Sequence, residues 1–388
     1  MTGGRDLATE SSEKGAIYRR LGVEPIINGR STFTILGGSL MAPPVIEAMR
    51  EAAASFVDVV ELQAAVGRRL AELTRNEAAF VSGGAAAGLF LSAAAAVMLD
   101  SDDGILRLDE LAGRPRDFVI HQAHRIPYDL AIGLAGGRLV EIGGPDGTDE
   151  AELAAVLRPS TAAVLYVPKS YLAAAVLPLE TVVRLARPLG IPVIVDAAAQ
   201  LPPPDNLWRF SEAGADAVLF SGGKALCGPA GTGLVVGRER FIARLAANAA
   251  PLQRLGRPMK IGKEDIVGLL AAVEWYLGQD HAALARQYDA AVDRIVEWGR
   301  GRTDVSVERL ETGEAGQPTP RAWIRLSNGS PAARDAVLAA LRATPPRVDL
   351  LADDDSGFYV APETLVAGEE DVVSARLDQV LRARDQRP

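Results

Sequence analysis

A chain of 388 residues is longer than one ordinary hydrophobic core organises, so two domains are the default. Its 48% apolar and 23% charged residues are those of a globular protein, and a net charge of −9 argues against a general nucleic-acid-binding surface. One cysteine, Cys227, excludes an intrachain disulfide framework and suits a reducing cytoplasm; with only His121, His124 and His281 beside it, a structural zinc site is not expected.

The opening M-T-G-G-R-D-L-A-T-E-S-S-E-K-G has no apolar signal-peptide core and reads as a flexible tail. Tyr18 to Asn28 suggests a short helix and then a strand entering the loop Gly29 to Met41. Pro44 starts a helix at Val45, where its missing N–H is harmless. Asp58 to Leu73 is amphipathic, with Leu62, Val66, Leu70 and Leu73 on one face. Ala78 to Val81 is a strand, followed by Ser82-Gly83-Gly84-Ala85 and an alanine-rich helix to Leu99 that is too short for a membrane span. Strand, glycine pair and helix N-terminus in that order form a phosphate cradle, because free backbone N–H groups and the helix dipole point at the anion. The same turn also occurs as plain packing.

Asp117 to His121 is the next strand, leading into Q-A-H-R-I-P-Y-D. Leu139 to Ile142 and Ala162 to Val167 are strands with the helix Glu150 to Leu157 between them, an alternation that implies a mostly parallel sheet with helices on both faces. Pro168-Lys169-Ser170-Tyr171 follows a strand's C-terminal end, where α/β sites collect. Lys169 is either a substrate contact or auxiliary base, or a solvated lysine. Gly190 to Asp196 is a buried strand ending in a carboxylate, and Pro202-Pro203-Pro204 forces a turn. Ala217 to Ser221 is a further buried strand that delivers Gly222-Gly223-Lys224, and G-P-A-G-T-G (Gly228 to Gly233) turns the chain into the strand Leu234 to Val236. A lysine held between two buried strands loses hydration, which makes its amine a better nucleophile.

Beyond a helix near Glu239 to Ala247, Arg257, Lys260 and Lys263 crowd one short loop of an acidic protein, which suits an anionic substrate or else a basic interdomain loop. Ile266 to Leu277, expected to bridge toward a smaller domain, and Ala282 to Trp298 are long helices; Arg302 to Gln317 is polar and glycine-bearing. Ala322 to Leu326, Arg347 to Leu351 and Gly357 to Val360 are half-buried strands covered by helices Ala333 to Leu341 and Glu369 to Arg382. Asp353-Asp354-Asp355 reads as a solvated hairpin tip, and Arg321 and Arg325 as outward residues or fallback carboxylate partners.

V-D-A-A-A-Q-L-P-P around Asp196 and F-S-G-G-K-A-L-C-G-P around Lys224 resemble the fold-type-I pyridoxal-phosphate enzymes, in the branch relating selenocysteine synthase to D-glucosaminate-6-phosphate ammonia-lyase. The loop from Gly29, G-R-S-T-F-T-I-L-G-G-S-L-M, is similar to that family's N-A-S-G-T-x-T-x-L-G-G-S-x-M entrance, and Arg257 to Lys263 to its R-P-M-K-V-G-K segment. The likeness implies the α/β fold-type-I transferase architecture with a smaller α+β domain: a tail at 1–17, a segment 18–55 joining the small domain, a cofactor domain at 56–264 and the small domain at 265–388.

It further implies that Lys224 forms the Schiff base with pyridoxal 5'-phosphate and serves as the proton-transfer base, and that Asp196 keeps the pyridine nitrogen protonated. His124 stacks on the ring and Gln200 meets the ring oxygen. Ser82, Gly83, Gly84 and Ala85 hold the phosphate with Ser221, and Thr232 completes the cofactor set. Arg257, Lys260, Arg30 and Lys169 are the substrate-binding candidates, with Arg30 and Ser31 reshaping the pocket. In the synthases an arginine falls where this chain has Gly38, and their tRNA-binding extension has no counterpart before Tyr18, so selenium transfer is not expected. The expected activity is a lyase that releases ammonia by β-elimination from a small anionic amino acid or amino-sugar acid. Racemase or aldolase chemistry, a catalytically silent scaffold and a plain nucleotide-binding protein are the alternatives. The expected assembly is a cytoplasmic homodimer or larger homo-oligomer with shared sites, to which the Asp58–Glu61 segment and the turn 231–233 are the suggested donors; no metal, nucleic acid or membrane is expected.

Overall fold

The computed structural model describes residues 15–98, 101–144, 147–172, 175–327, 329–353 and 355–385. The expected tail lies outside them up to residue 14, as do Leu99 and Asp354. Two compact units emerge: 37–281 together with 314–318, and the described residues of 15–36, 282–313 and 319–385.

β1 (Ile26–Gly29) belongs to the smaller unit, and the next seven strands build the sheet of the larger one. These are β2 (Ala78–Ser82), β3 (Asp117–His121), β4 (Arg138–Ile142), β5 (Thr161–Tyr166), β6 (Val193–Asp196), β7 (Ala217–Ser221) and β8 (Gly233–Gly237), in the order β2-β8-β7-β6-β5-β3-β4. β8 runs antiparallel to both neighbours and every other pair is parallel. β5, β6 and β8 are buried end to end, which is why their sequences are unbroken apolar runs rather than alternating ones. Successive residues feed opposite layers. Val193, Val195, Val218 and Phe220 pack with Val66, Leu70 and Leu269 on one face, while Ile194, Leu219 and Val235 meet the alanine-rich helix Ala85–Val97 on the other. That helix lies close to the sheet because its residues are small: a Cβ on Gly88 would sit 2.9 Å from side-chain carbons of both Leu219 and Val235.

Parallel pairing brings the C-terminal ends of β3, β5, β6 and β7 to one edge of the sheet, the edge where α/β proteins place ligands. β8 starts there because it is antiparallel, so Ser82, Gly233 and Ser221 stand side by side in register. The helix Val59–Leu73 is capped by Asp58, whose carboxylate accepts from the N–H groups of Val60 and Glu61. The helix Lys263–Leu277, read from the sequence as a bridge, packs on Pro43–Ala53 and Val59–Leu73 within the larger unit.

The smaller unit adds β9 (Val305–Leu310), β10 (Arg321–Leu326), β11 (Arg347–Ala352) and β12 (Gly357–Val360) in the order β1-β11-β12-β10-β9, with β1 parallel to β11 and the rest antiparallel. Its core joins Val292, Ile295, Ile324, Val348, Leu350, Phe358 and Leu377. β9 lies inside the stretch read only as polar. It is an edge strand with Val305 buried and Arg309 paired to Asp289, Asp293 and Glu311, so its charges hide the alternation. The acidic tip is more than a solvated one: Asp353 accepts from Trp323 Nε1 at 2.8 Å and from the N–H groups of Asp355 at 2.9 Å and Gly357 at 2.8 Å. Among the described residues no helix is long and apolar enough to cross a membrane.

Candidate active site at the sheet edge

Asp196 ends β6 and is buried; its Oδ1 accepts from the Ala198 N–H at 3.1 Å. Burial pushes its carboxyl above the usual range, while that hydrogen bond and the charges of Lys224 and Lys169 pull it back. Lys224 stands three residues beyond the end of the adjacent β7, in a turn closed by Cys227 N–H donating to Lys224 O and Gly228 N–H donating to Gly222 O. Its Nζ lies 3.7 Å from Glu314 Oε1. Lys169, just past β5, is half-buried, and burial lowers its ammonium pKa against the opposing pull of Asp196 and Glu314. Two lysines and two carboxylates from three strand ends and the segment 314–318 thus meet at one place.

Glu314 is the member that the sequence did not disclose. It lies 90 positions beyond Lys224, in a polar stretch without motif, and only the tertiary fold joins them. The loop leading from Gly37 also closes on this turn: the backbone N–H and Oγ of Ser39 both donate to Gly223 O, at 2.8 and 3.0 Å. Gly38, at φ +77°, approaches so closely that a Cβ would lie 2.4 Å from Gly223 O.

The helix Ala85–Val97 begins after Gly84 at φ +101°, with no side-chain cap on its first turn. The N–H groups of Ala85, Ala86 and Ala87 have no intrahelical acceptors there and point out of the helix end. Gly84 N–H is taken by Ser82 O at 2.8 Å. The Ser82 hydroxyl is also engaged, shared between Gly84 O at 2.9 Å and Gly233 O at 3.1 Å, so it shapes the turn through its own backbone. Gly83 carries the basic loop close by, since a Cβ on it would sit 3.1 Å from Met259 O and 3.5 Å from Lys260 O. Met259 and Lys260 therefore flank the cradle through their backbone. Ser221, paired with Gly233 at the same edge, is partly exposed.

His124 is wholly buried, edge-on to Tyr166 and His121 at ring separations of 4.6 and 4.9 Å. Its Nδ1 accepts from the Val167 N–H at 3.3 Å and its Nε2 has no partner among the described residues. Burial, with help from His121 and Lys169, drives its pKa down to about 3, so the ring is neutral near pH 7. Gln200, four residues past Asp196, donates Nε2 to Ala315 O at 2.9 Å. Thr232 is buried and donates Oγ1 to Pro229 O at 2.7 Å within its own turn, where a Cβ on Gly222 would clash with it.

Arg30 belongs to the smaller unit. Its Nη1 lies 3.6 Å from Asp349 Oδ1 and its guanidinium sits over the Phe33 ring. Arg321 covers Tyr359, and Arg325 pairs with Glu308 over Trp323.

The family model described as SelA, L-seryl-tRNA selenium transferase, matches residues 26–287. A D-glucosaminate-6-phosphate ammonia lyase of Salmonella typhimurium is 31% identical over 375 residues, 94% of this chain and 97% of that protein. A 5'-C-glycyluridine monooxygenase-decarboxylase of a Streptomyces species is 38% identical over 266 residues, and that match spans 67% of this chain and 65% of the relative. The solved structure of D-glucosaminate-6-phosphate ammonia-lyase superposes with a TM-score of 0.80 at 29% identity, covering 95% of this chain and 99% of that one.

Proposed function

The chain belongs to the L-seryl-tRNA selenium transferase (SelA) family, in the fold-type-I branch of pyridoxal-phosphate-dependent enzymes, and from that premise we propose that it is a pyridoxal-phosphate-dependent lyase releasing ammonia from an anionic amino acid or amino-sugar acid. The observation that carries this reading is the meeting of Asp196 and Lys224 at the ends of adjacent parallel strands, on the sheet edge where the uncapped helix Ala85–Val97 starts. The residues fit the cofactor. A buried carboxylate suits a cationic ring nitrogen, an amine suits its aldehyde, and three N–H groups at a helix start suit its phosphate.

When bound, pyridoxal phosphate supplies a sink for the electron pair left at a substrate α-carbon. Lys224 holds it through Nζ and then moves the α-proton. Asp196 holds the proton on the ring nitrogen. Ala85 and its neighbours take the phosphate through their backbone, with Gly83 and Gly84 shaping the turn and Ser221 beside it. His124, neutral and packed against Tyr166, fixes the end of β5 through Val167, and Gln200 and Thr232 fix the loops around the site. Arg257 and Lys260 receive the anionic end of the substrate, and Lys169 is an auxiliary contact. Arg30, paired with Asp349 in the smaller unit, is a further substrate-binding candidate. Selenium transfer is disfavoured at Gly38, because an arginine there would need both a left-handed backbone and the space occupied by Gly223 O.

Ammonia release is ranked first because the ammonia lyase aligns along nearly its whole length with nearly all of this chain. The monooxygenase-decarboxylase supports a second reading, oxidative decarboxylation, by its higher identity over a shorter span. A screen of amino acids and amino-sugar phosphates for product ammonia and oxygen uptake separates the two. The lyase reading expects equimolar ammonia and 2-oxo acid without oxygen consumption. Oxygen uptake with carbon dioxide release would replace it by the second reading, and α-hydrogen exchange without ammonia would indicate a racemase.

A homodimer or larger assembly of this chain is part of the same proposal. Leu40, Met41, Ile46, Phe56, Val57 and Val60 are exposed apolar side chains of the larger unit, with Phe56 fully exposed, a pattern that subunit contacts relieve. Sedimentation should give a dimer or larger species, and a fully active monomer would rule the assembly out.

A further inference from the structure

Residues 314–318 connect β9 to β10 in sequence, yet they belong to the larger unit. Gln200 Nε2 donates to Ala315 O at 2.9 Å and Ser170 Oγ donates to Gly316 O at 2.7 Å, while the Gln317 side chain accepts from Ala315 N–H at 3.0 Å. Gly316, at φ +83°, fits so tightly that a Cβ would lie 2.6 Å from Ser170 N. Ser170 follows β5 and Gln200 follows β6, so the segment is pinned to the edge where Lys224 follows β7. Glu314 is the result of that pinning: its carboxylate stands 3.7 Å from Lys224 Nζ with both side chains about three-quarters buried, at 24% and 27% exposure.

Among the described residues, Glu314 pairs with Lys224, Asp196 feels Lys224 and Lys169, and Lys169 feels both carboxylates. Asp196 is assigned to the cofactor ring, which leaves Glu314 to balance Lys224. We propose that Glu314 is the site's counter-charge, a positioning residue that stabilises positive charge on the Lys224 nitrogen and excludes a second anionic group from the substrate beside it. The proposal rests on the reading of Lys224 as the residue that holds the cofactor. The part of the substrate next to Glu314 is then hydroxylated or cationic, and its anionic end lies toward Arg257 and Lys260. Like charges brought together there would be repelled, as two carboxylates sharing a site are.

The test uses the cofactor-loaded protein as wild type, Glu314→Gln and Glu314→Asp. Borohydride reduction and peptide mapping first establish whether the cofactor is on Lys224; a label elsewhere overturns the reading beneath the proposal, not the proposal alone. With the label on Lys224, the pH at which the cofactor's visible band changes is measured. A neighbouring carboxylate raises the pKa of a charged nitrogen, so Glu314→Gln should lower the midpoint by about half a pH unit, with Glu314→Asp close to wild type. An unchanged midpoint in Glu314→Gln overturns the counter-charge role. Affinities for aspartate and serine, read from the spectral change each causes, test the selectivity: Glu314→Gln should gain for aspartate relative to serine by about tenfold, a shift of one neighbouring charge. No relative gain overturns the exclusion.

Discussion

Lys224→Ala is expected to lower turnover by at least about a thousandfold while the protein remains folded. The loss is large because, in the proposed function, one amine both holds the cofactor and moves the proton, and among the described residues Lys169, the other lysine here, is already drawn to Asp196 and Glu314. The fold survives because the ion pair removed is a partly solvated one at 3.7 Å, worth about 1 kcal/mol or less. Steady-state rates with the substrate found in the ammonia screen, alongside thermal unfolding, check both halves. A variant that keeps a tenth of the activity would remove Lys224 from the chemistry.

Asp196→Ala carries the second large effect. Burial raises the carboxyl of Asp196, so its charge is held at the sheet edge at a disadvantage that Lys224 and Lys169 only partly relieve. A protonated ring nitrogen beside it would relieve the rest, which couples this residue to the charge state of the cofactor. In the proposed function, the ring nitrogen would lose its proton without the carboxylate and the electron sink would weaken. Exchange of the substrate α-hydrogen with deuterated solvent should fall by about 10²- to 10⁴-fold, the range for removing a positioned proton-holding group. Circular dichroism should stay native, because among the described residues the side chain's one hydrogen bond is to its neighbour Ala198. Near-normal exchange would end the proposed role.

What was legible beforehand follows from distance along the chain. The runs Val193–Asp196 and Ala217–Ser221 are apolar because both faces of the sheet are covered, and that pattern alone placed Asp196 and the turn before Lys224 at strand ends. Ser82-Gly83-Gly84-Ala85 was legible as a strand-to-helix turn, since it is local. Its hydroxyl was not: Ser82 Oγ turns to Gly233 O, an acceptor on a strand far away in sequence. β9 resembles a charged loop in sequence because this edge strand carries Glu308 on its exposed face and Arg309, paired with Asp289 and Asp293, on the other. The pairing of Arg30 with Asp349, more than 300 positions away, likewise shows only in the fold. Glu314 has the same cause, since its meaning comes from anchors at Ser170 and Gln200 that no local pattern encodes.

In the proposed function this sheet edge is a pyridoxal-phosphate site with Lys224 as its covalent anchor. Purified protein loaded with pyridoxal phosphate, reduced with borohydride and digested, should yield one phosphopyridoxyl-labelled peptide, with the added mass on Lys224. A label on Lys169, Lys260 or Lys263, or no label in protein that is folded and saturated with cofactor, would contradict it.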